Sequence, residues 1–139
     1  RTLLEYADVP GSAGARLEPS LADLPELREQ GTLYAFRLRR EARFGPPLRR
    51  HVTAADFKYG FERMLRLGSP GVTFYRRVVG VPDVLAGRVK QVSGVIARGD
   101  SLYIRLSRPD PVFLYLLSLS FTAPVPLDIP WHDPPFHKN

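Results

Sequence analysis

Three histidines, His51, His132 and His137, are the only side chains in these 139 residues that could ligate a metal through nitrogen, and the chain has no cysteine. That excludes a disulfide framework, a thiolate metal centre and a cysteine nucleophile. His132, Asp133 and His137 lie close in sequence, but the two histidines are five apart in a proline-rich tail rather than on one helical face, so no metal site is expected. Asp56 and Glu62 are six apart on one expected helix and point in different directions, which suits capping or solvated roles better than paired acid and base work. There is no glycine-rich phosphate loop and no nucleophile elbow. With no nucleophile, acid–base pair or metal set in view, no catalytic residue and no cofactor are assigned, and the chain is not read as an enzyme.

Two further signals carry possible binding chemistry. Arg37, Arg39, Arg40, Arg43, Arg49 and Arg50 form a dense basic stretch flanked by Tyr34 and Phe44, the kind of patch that can bind nucleic acid. No helix-turn-helix spacing and no aromatic RNA-binding strand motif accompanies it, so the favoured account is a solvated strand edge with salt bridges to neighbours outside the chain, and no nucleic-acid partner is expected. The tripeptide Arg98-Gly99-Asp100 matches an integrin-binding sequence, but it also supplies the Gly and Asp that a tight turn requires.

The elements that would position these residues follow from periodicity and breakers. Residues 1–20, with Pro10, Gly11, Gly14 and Pro19, read as a linker or lead-in loop, and the core is expected to start near Leu21. Leu24 to Arg28 suits a short edge segment, because Pro25 cannot sit in a central strand. Tyr34, Phe36 and Leu38 alternate with Ala35, Arg37 and Arg39, which predicts a half-buried strand. Thr53 and Asp56 form a capping box ahead of a helix whose Phe57, Phe61, Met64 and Leu65 share a stripe, ended by Gly68. Ser69-Pro70 opens a second helix to about Val79, with Phe74 and Val78 on one side and Tyr75 and Val79 on the next. Pro82 to Ala86 reads as a helical turn. Val92 to Ala97 and Leu102 to Leu106 read as a hairpin with Leu102, Ile104 and Leu106 on one face. Asp110-Pro111 starts a helix over 112–119 that is apolar nearly all round, and is therefore either central or packed on protein beyond this chain. Its Leu116 and Leu117 are candidate docking residues. A tail rich in proline follows.

Length fits one domain or part of one, able to bury about two-thirds of its unfolded surface. Apolar residues at 44% and charged residues at 24% exclude wholesale disorder, and the run from Val112 to Leu119 is too short to span a bilayer. Net charge is +6, and of the 20 Lys and Arg residues only Lys58, Lys90 and Lys138 are lysines. The chain opens Arg1-Thr2-Leu3-Leu4-Glu5 with no charged n-region or cleavage site and reads as a piece of a longer protein.

The order of these features resembles the family 5 extracellular solute-binding proteins of ABC transporters, the oligopeptide, dipeptide and nickel receptors. The resemblance runs from Pro19 to Pro126: Pro19-Ser20-Leu21-Ala22, then Tyr34-Ala35-Phe36-Arg37-Leu38-Arg39, Thr53-Ala54-Ala55-Asp56-Phe57 with Arg63, Ser69-Pro70, Ala86-Gly87, Gly94-Val95, Leu106 through Phe113 with Pro109 and Pro111, and Pro124-Val125-Pro126. It departs at the longer, more basic loop from Gly45 to His51, and at Gly71, where some oligopeptide-binding members place a ligand-touching aromatic. Phe74 or Tyr75, one turn on, are the candidate ligand-binding replacements.

The resemblance implies an α+β subdomain: a small, mostly antiparallel sheet packed with about three helices, belonging to a class II periplasmic-binding-protein fold and inserted in its first lobe. It implies a domain over 21–126, with 1–20 leading in and 127–139 leading to a missing lobe. The implied role is the wall of a cleft for a small-molecule or peptide ligand in an importer's receptor, with an ABC permease as partner. The implied location is outside the cytoplasm, with a lipid anchor in the full-length protein. Two alternatives stand beside it: a solute-binding-like sensor of a cytoplasmic transcriptional regulator, and a basic nucleic-acid-binding module.

Overall fold

The structure, a computed structural model, describes residues 1–6, 17–119 and 122–128. The breakers at positions 10–14 and the tail residues Pro130, His132, Asp133, Pro134, Pro135 and His137 lie outside the described residues. Strand β1 (Leu4–Tyr6) pairs antiparallel with β2 (Leu17–Pro19). A second antiparallel sheet has the order β3-β4-β6-β5, built from β3 (Glu26–Arg28), β4 (Leu33–Arg37), β5 (Val95–Arg98) and β6 (Ser101–Arg105). Helices α1 (Ala54–Arg66), α2 (Val81–Leu85) and α3 (Phe113–Leu116) complete it, giving the α+β architecture expected. Among the described residues no helix is long and apolar enough to cross a membrane.

Period-2 alternation sets the register. Tyr34 lies opposite Ile104 and Phe36 opposite Leu102, and Ile104 also faces Val95 on β5, so these apolar side chains share one face of the sheet. All five are buried there. Helix α1 covers that face with the stripe read from sequence: Phe57, Phe61, Met64 and Leu65 are all buried. Each such Phe or Leu contributes about 1.5–3 kcal/mol on burial. Phe57 stacks on Phe61 at 5.9 Å, and Phe61 meets the ring of Tyr75 edge-on at 5.5 Å. Pro25 sits beside edge strand β3, and the turn at Arg98-Gly99-Asp100 joins β5 to β6, as expected.

Four readings differ from the structure. Residues 1–20 are not wholly a lead-in loop, because β1 pairs with β2 and Leu3 and Leu4 are fully buried core. The second helix is only a 3-10 turn, Val72–Tyr75, so Phe74 and Val78 do not share a face: Phe74 is exposed and Val78 buried. Helix α3 has four residues rather than eight, with Phe113 and Leu117 inside and Val112 and Tyr115 outside. Leu117 is therefore core, and only the half-buried Leu116 of that pair is open to solvent. Glu62 is buried rather than solvated, whereas Asp56, also buried, keeps the capping role expected of it by accepting the Thr53 N–H at 2.8 Å. Glu62 accepts the Val92 N–H at 2.7 Å and pairs with Lys58 at 2.9 Å, while Lys58 also donates to the carbonyls of Val92 and Val95. These bonds tie α1 to the strand that follows.

Two arginines of the basic stretch, Arg39 and Arg50, find carboxylate partners within the chain. Arg39 pairs with Asp23 at 2.9 Å. Arg50 grips Asp56 through both its Nη atoms, at 2.8 and 2.7 Å, and reaches Asp128 at 2.9 Å, its guanidinium 5.0 Å from the Phe44 ring. Residues 122–128 thereby become a strap across α1: Val125 donates to the Asp56 carbonyl and Leu127 to its carboxylate. The strap passes so close to Gly60 that a Cβ there would lie 2.9 Å from the Ala123 carbonyl. A hollow of about 160 Å³ beneath the strap is lined by Arg1, Leu21, Phe44, Val52 and Pro124, which brings the two ends of the described chain together.

Candidate ligand-facing groove

The segment after α1 turns at Ser69, whose carbonyl accepts the Val72 N–H at 3.1 Å, and Phe74 donates to Gly71 at 3.0 Å. This tight turn directs successive aromatics oppositely. Tyr75 points inward, fully buried, and donates its hydroxyl to the Leu116 carbonyl at 2.8 Å. Burial pushes that hydroxyl's pKa up to about 12, so it stays a donor at every physiological pH. Phe74 points outward, 53% exposed. Of the two candidate ligand residues, only Phe74 faces solvent, and Tyr75 serves to lock the turn to α3. Replacing Tyr75 with Phe leaves the ring packing and removes this one hydrogen bond, while the Leu116 carbonyl keeps the Leu119 N–H at 3.3 Å, so we expect a loss of about 1 kcal/mol in urea unfolding.

Between the turn and α3 lies a groove of about 330 Å³ lined by Thr73, Phe74, Arg76, Arg77, Asp110, Val112 and Leu116. Asp110 was expected as a helix cap, and its carboxylate does accept the Val112 N–H at 3.1 Å. It also lies 3.5 Å from Arg77, a contact between distant segments with no local sequence signal. Arg76 and Arg77 were not singled out from sequence, and Val112 only as part of the apolar 112–119 segment, because the groove is assembled from segments on either side of the β5–β6 hairpin. On α3 itself Tyr115 is also exposed, its ring 5.9 Å from that of Tyr6.

The other sequence candidates lie elsewhere. His51 sits between the Ala42 carbonyl, 2.9 Å from Nδ1, and Asp100, 2.7 Å from Nε2. It thus ties the loop before α1 to the β5–β6 turn. His132, Asp133 and His137 are outside the described residues, and among the described residues no three His, Asp or Glu side chains gather to hold a metal.

A small antiparallel sheet capped by α1, with the β1–β2 pair and a C-terminal strap, matches a subdomain of the solute-binding proteins. The chain matches part of the oligopeptide-binding proteins of the family 5 solute-binding type. It is 35% identical over 103 residues to the periplasmic oligopeptide-binding protein OppA of Escherichia coli strain K12, a match covering 68% of this chain and 18% of that protein. No protein-family model matches the chain. The solved structure of OppA from Burkholderia pseudomallei superposes with a TM-score of 0.78 at 24% identity, over 91% of this chain and 24% of that one. The clavulanic acid biosynthesis oligopeptide binding protein 2 superposes with a TM-score of 0.77 at 26% identity, over the same shares. The chain thus spans less than a quarter of the length of the relative and of the solved chains it matches.

Proposed function

We propose that the chain forms one wall of the ligand cleft in an extracytoplasmic receptor that binds peptides and delivers them to an ABC permease. The observation that carries this reading is the match to the E. coli oligopeptide-binding protein over 103 residues, joined to an outward-facing Phe74 in an open groove. The relatives are several times longer, so most ligand contacts belong to two lobes outside this chain, and closure of those lobes around the ligand is the signal the permease reads. A lipid anchor on the full-length receptor would hold it at the membrane face. The nucleic-acid alternative is weakened at two of its six arginines, because Arg39 and Arg50 are engaged by Asp23, Asp56 and Asp128.

The test is a chimera in which this chain replaces the matching segment of the E. coli protein, assayed for peptide binding by calorimetry alongside a thermal melt. The expected result is one cooperative transition and peptide affinity retained within about tenfold of the parent. A chimera that melts cooperatively yet takes no peptide overturns the reading. Within that chimera, Phe74→Ala should weaken binding by about 1 kcal/mol or more while leaving the melt nearly unchanged, since the ring is half in solvent.

A further inference from the structure

We propose that the groove between the Val72–Tyr75 turn and α3 binds the C-terminal residue of a peptide, with its carboxylate on Arg76 and its apolar side chain against Phe74, Val112 and Leu116. The proposal rests on the peptide-receptor reading above. Its first support is charge. Among the described residues nothing forms a hydrogen bond or ion pair with the exposed Arg76 guanidinium, whereas Arg77 lies 3.5 Å from Asp110. Asp110 offsets Arg77, so the groove presents one uncompensated positive charge on a planar fork that matches a carboxylate. A dianion such as phosphate would meet repulsion from Asp110, and a cationic group would meet Arg76.

The second support is the apolar surface beside that charge. Phe74 and Val112 are 53% and 55% exposed, and Leu116 is half-buried between them and the core. Exposed apolar side chains gathered around a free cation fit a ligand with the same two parts. The volume of about 330 Å³ is at the small end for ligand sites, which suits one residue rather than a long peptide.

Two experiments separate this proposal from the reading it rests on. The 139-residue chain is titrated with N-acetyl-leucine and with N-acetyl-leucinamide while amide shifts are followed by NMR. The acid should move resonances of residues 73–77 and 112–116 at least tenfold more tightly than the amide, and Arg76→Gln should abolish the difference without altering the rest of the spectrum. Equal response to acid and amide, shifts confined to other residues, or a preference that survives Arg76→Gln each overturns the proposal. The chimera is then offered peptides with free and amidated C-termini. A tenfold preference for the free acid, lost in Arg76→Gln, supports the subsite. Equal binding of both rejects the subsite and leaves the receptor reading standing, and binding of neither rejects both.

Discussion

Asp56→Ala should cost the fold about 3 kcal/mol, near the low end for removing one partner of a buried ion pair because Arg50 keeps some contact with water. The substitution strands the Thr53 N–H at 2.8 Å and the Leu127 N–H at 3.2 Å, and leaves the Arg50 Nη atoms with only the His51 carbonyl and Asp128. It also frees the strap, since Arg50 no longer has a fixed position from which to hold Asp128. In a chain of this size the melting temperature should fall by roughly 10 °C. Asp56→Asn, which can still accept from the backbone but carries no charge, should fall between the two in a urea titration. An alanine variant within 0.5 kcal/mol of the parent would show that the strap, not the ion pair, orders this corner.

The same carboxylate predicts the acid response. Burial acts to raise the Asp56 pKa, but the hydrogen bonds from Arg50, Thr53 and Leu127 outweigh it and hold the group below its ordinary value of 3.8. A depressed folded-state pKa contributes stability that is fully present above the unfolded value and is lost as pH falls through the folded one. The parent should therefore hold its urea midpoint down to about pH 4 and lose stability below it, with a shallower loss in Asp56→Ala. Asp128, also lowered through its hydrogen bond from Arg50, titrates in the same direction.

Gly94→Ala should be comparably damaging, at about 3 kcal/mol, for a purely steric reason. A Cβ at this position would lie 2.4 Å from the Val79 carbonyl oxygen and 2.9 Å from the Val79 Cβ. The backbone there cannot retreat, because Gly94 donates to Val79 at 2.8 Å, Val79 donates to Arg105 at 2.9 Å, and Arg105 donates to Gly94 at 2.8 Å. One methyl group must break this three-way junction between the loop before α2, β5 and β6. Gly45→Ala, where an added Cβ meets nothing within 4 Å, is the matched control and should unfold like the parent. Equal midpoints for the two variants would mean that the junction yields, and the close approach would lose its explanatory force.

Elements with a strong period and nearby caps were legible in the chain. Helix α1 announces itself through Thr53, Asp56 and four apolar side chains at helical spacing, and β4 and β6 through strict alternation that the pairing of Phe36 with Leu102 fulfils. Short elements were not, because three or four residues carry too little periodicity to register. Leu3 and Leu4 looked like part of a loop, since β1 finds its partner only beyond a run of breakers. The helix expected through Val79 stops at Tyr75 because Arg76 is its last cap and Val78 bridges to Leu106 instead. The groove was half visible: Phe74 was singled out, but Arg76 and Asp110 acquire meaning only once the hairpin folds the two segments together. The Arg50–Asp128 pair had no signal at all, since nothing local tells an arginine which distant carboxylate it will meet.

The hollow that Arg1 shares with Pro124 bears on mechanics. Tension applied through both flanks of the described chain enters at one corner, beside Phe44 and Val52, rather than at opposite poles. The sheet is then not stretched along its hydrogen bonds. A pull on residues 122–128 is then taken first by the Arg50 bridge to Asp56 and Asp128, which keeps the strap in place.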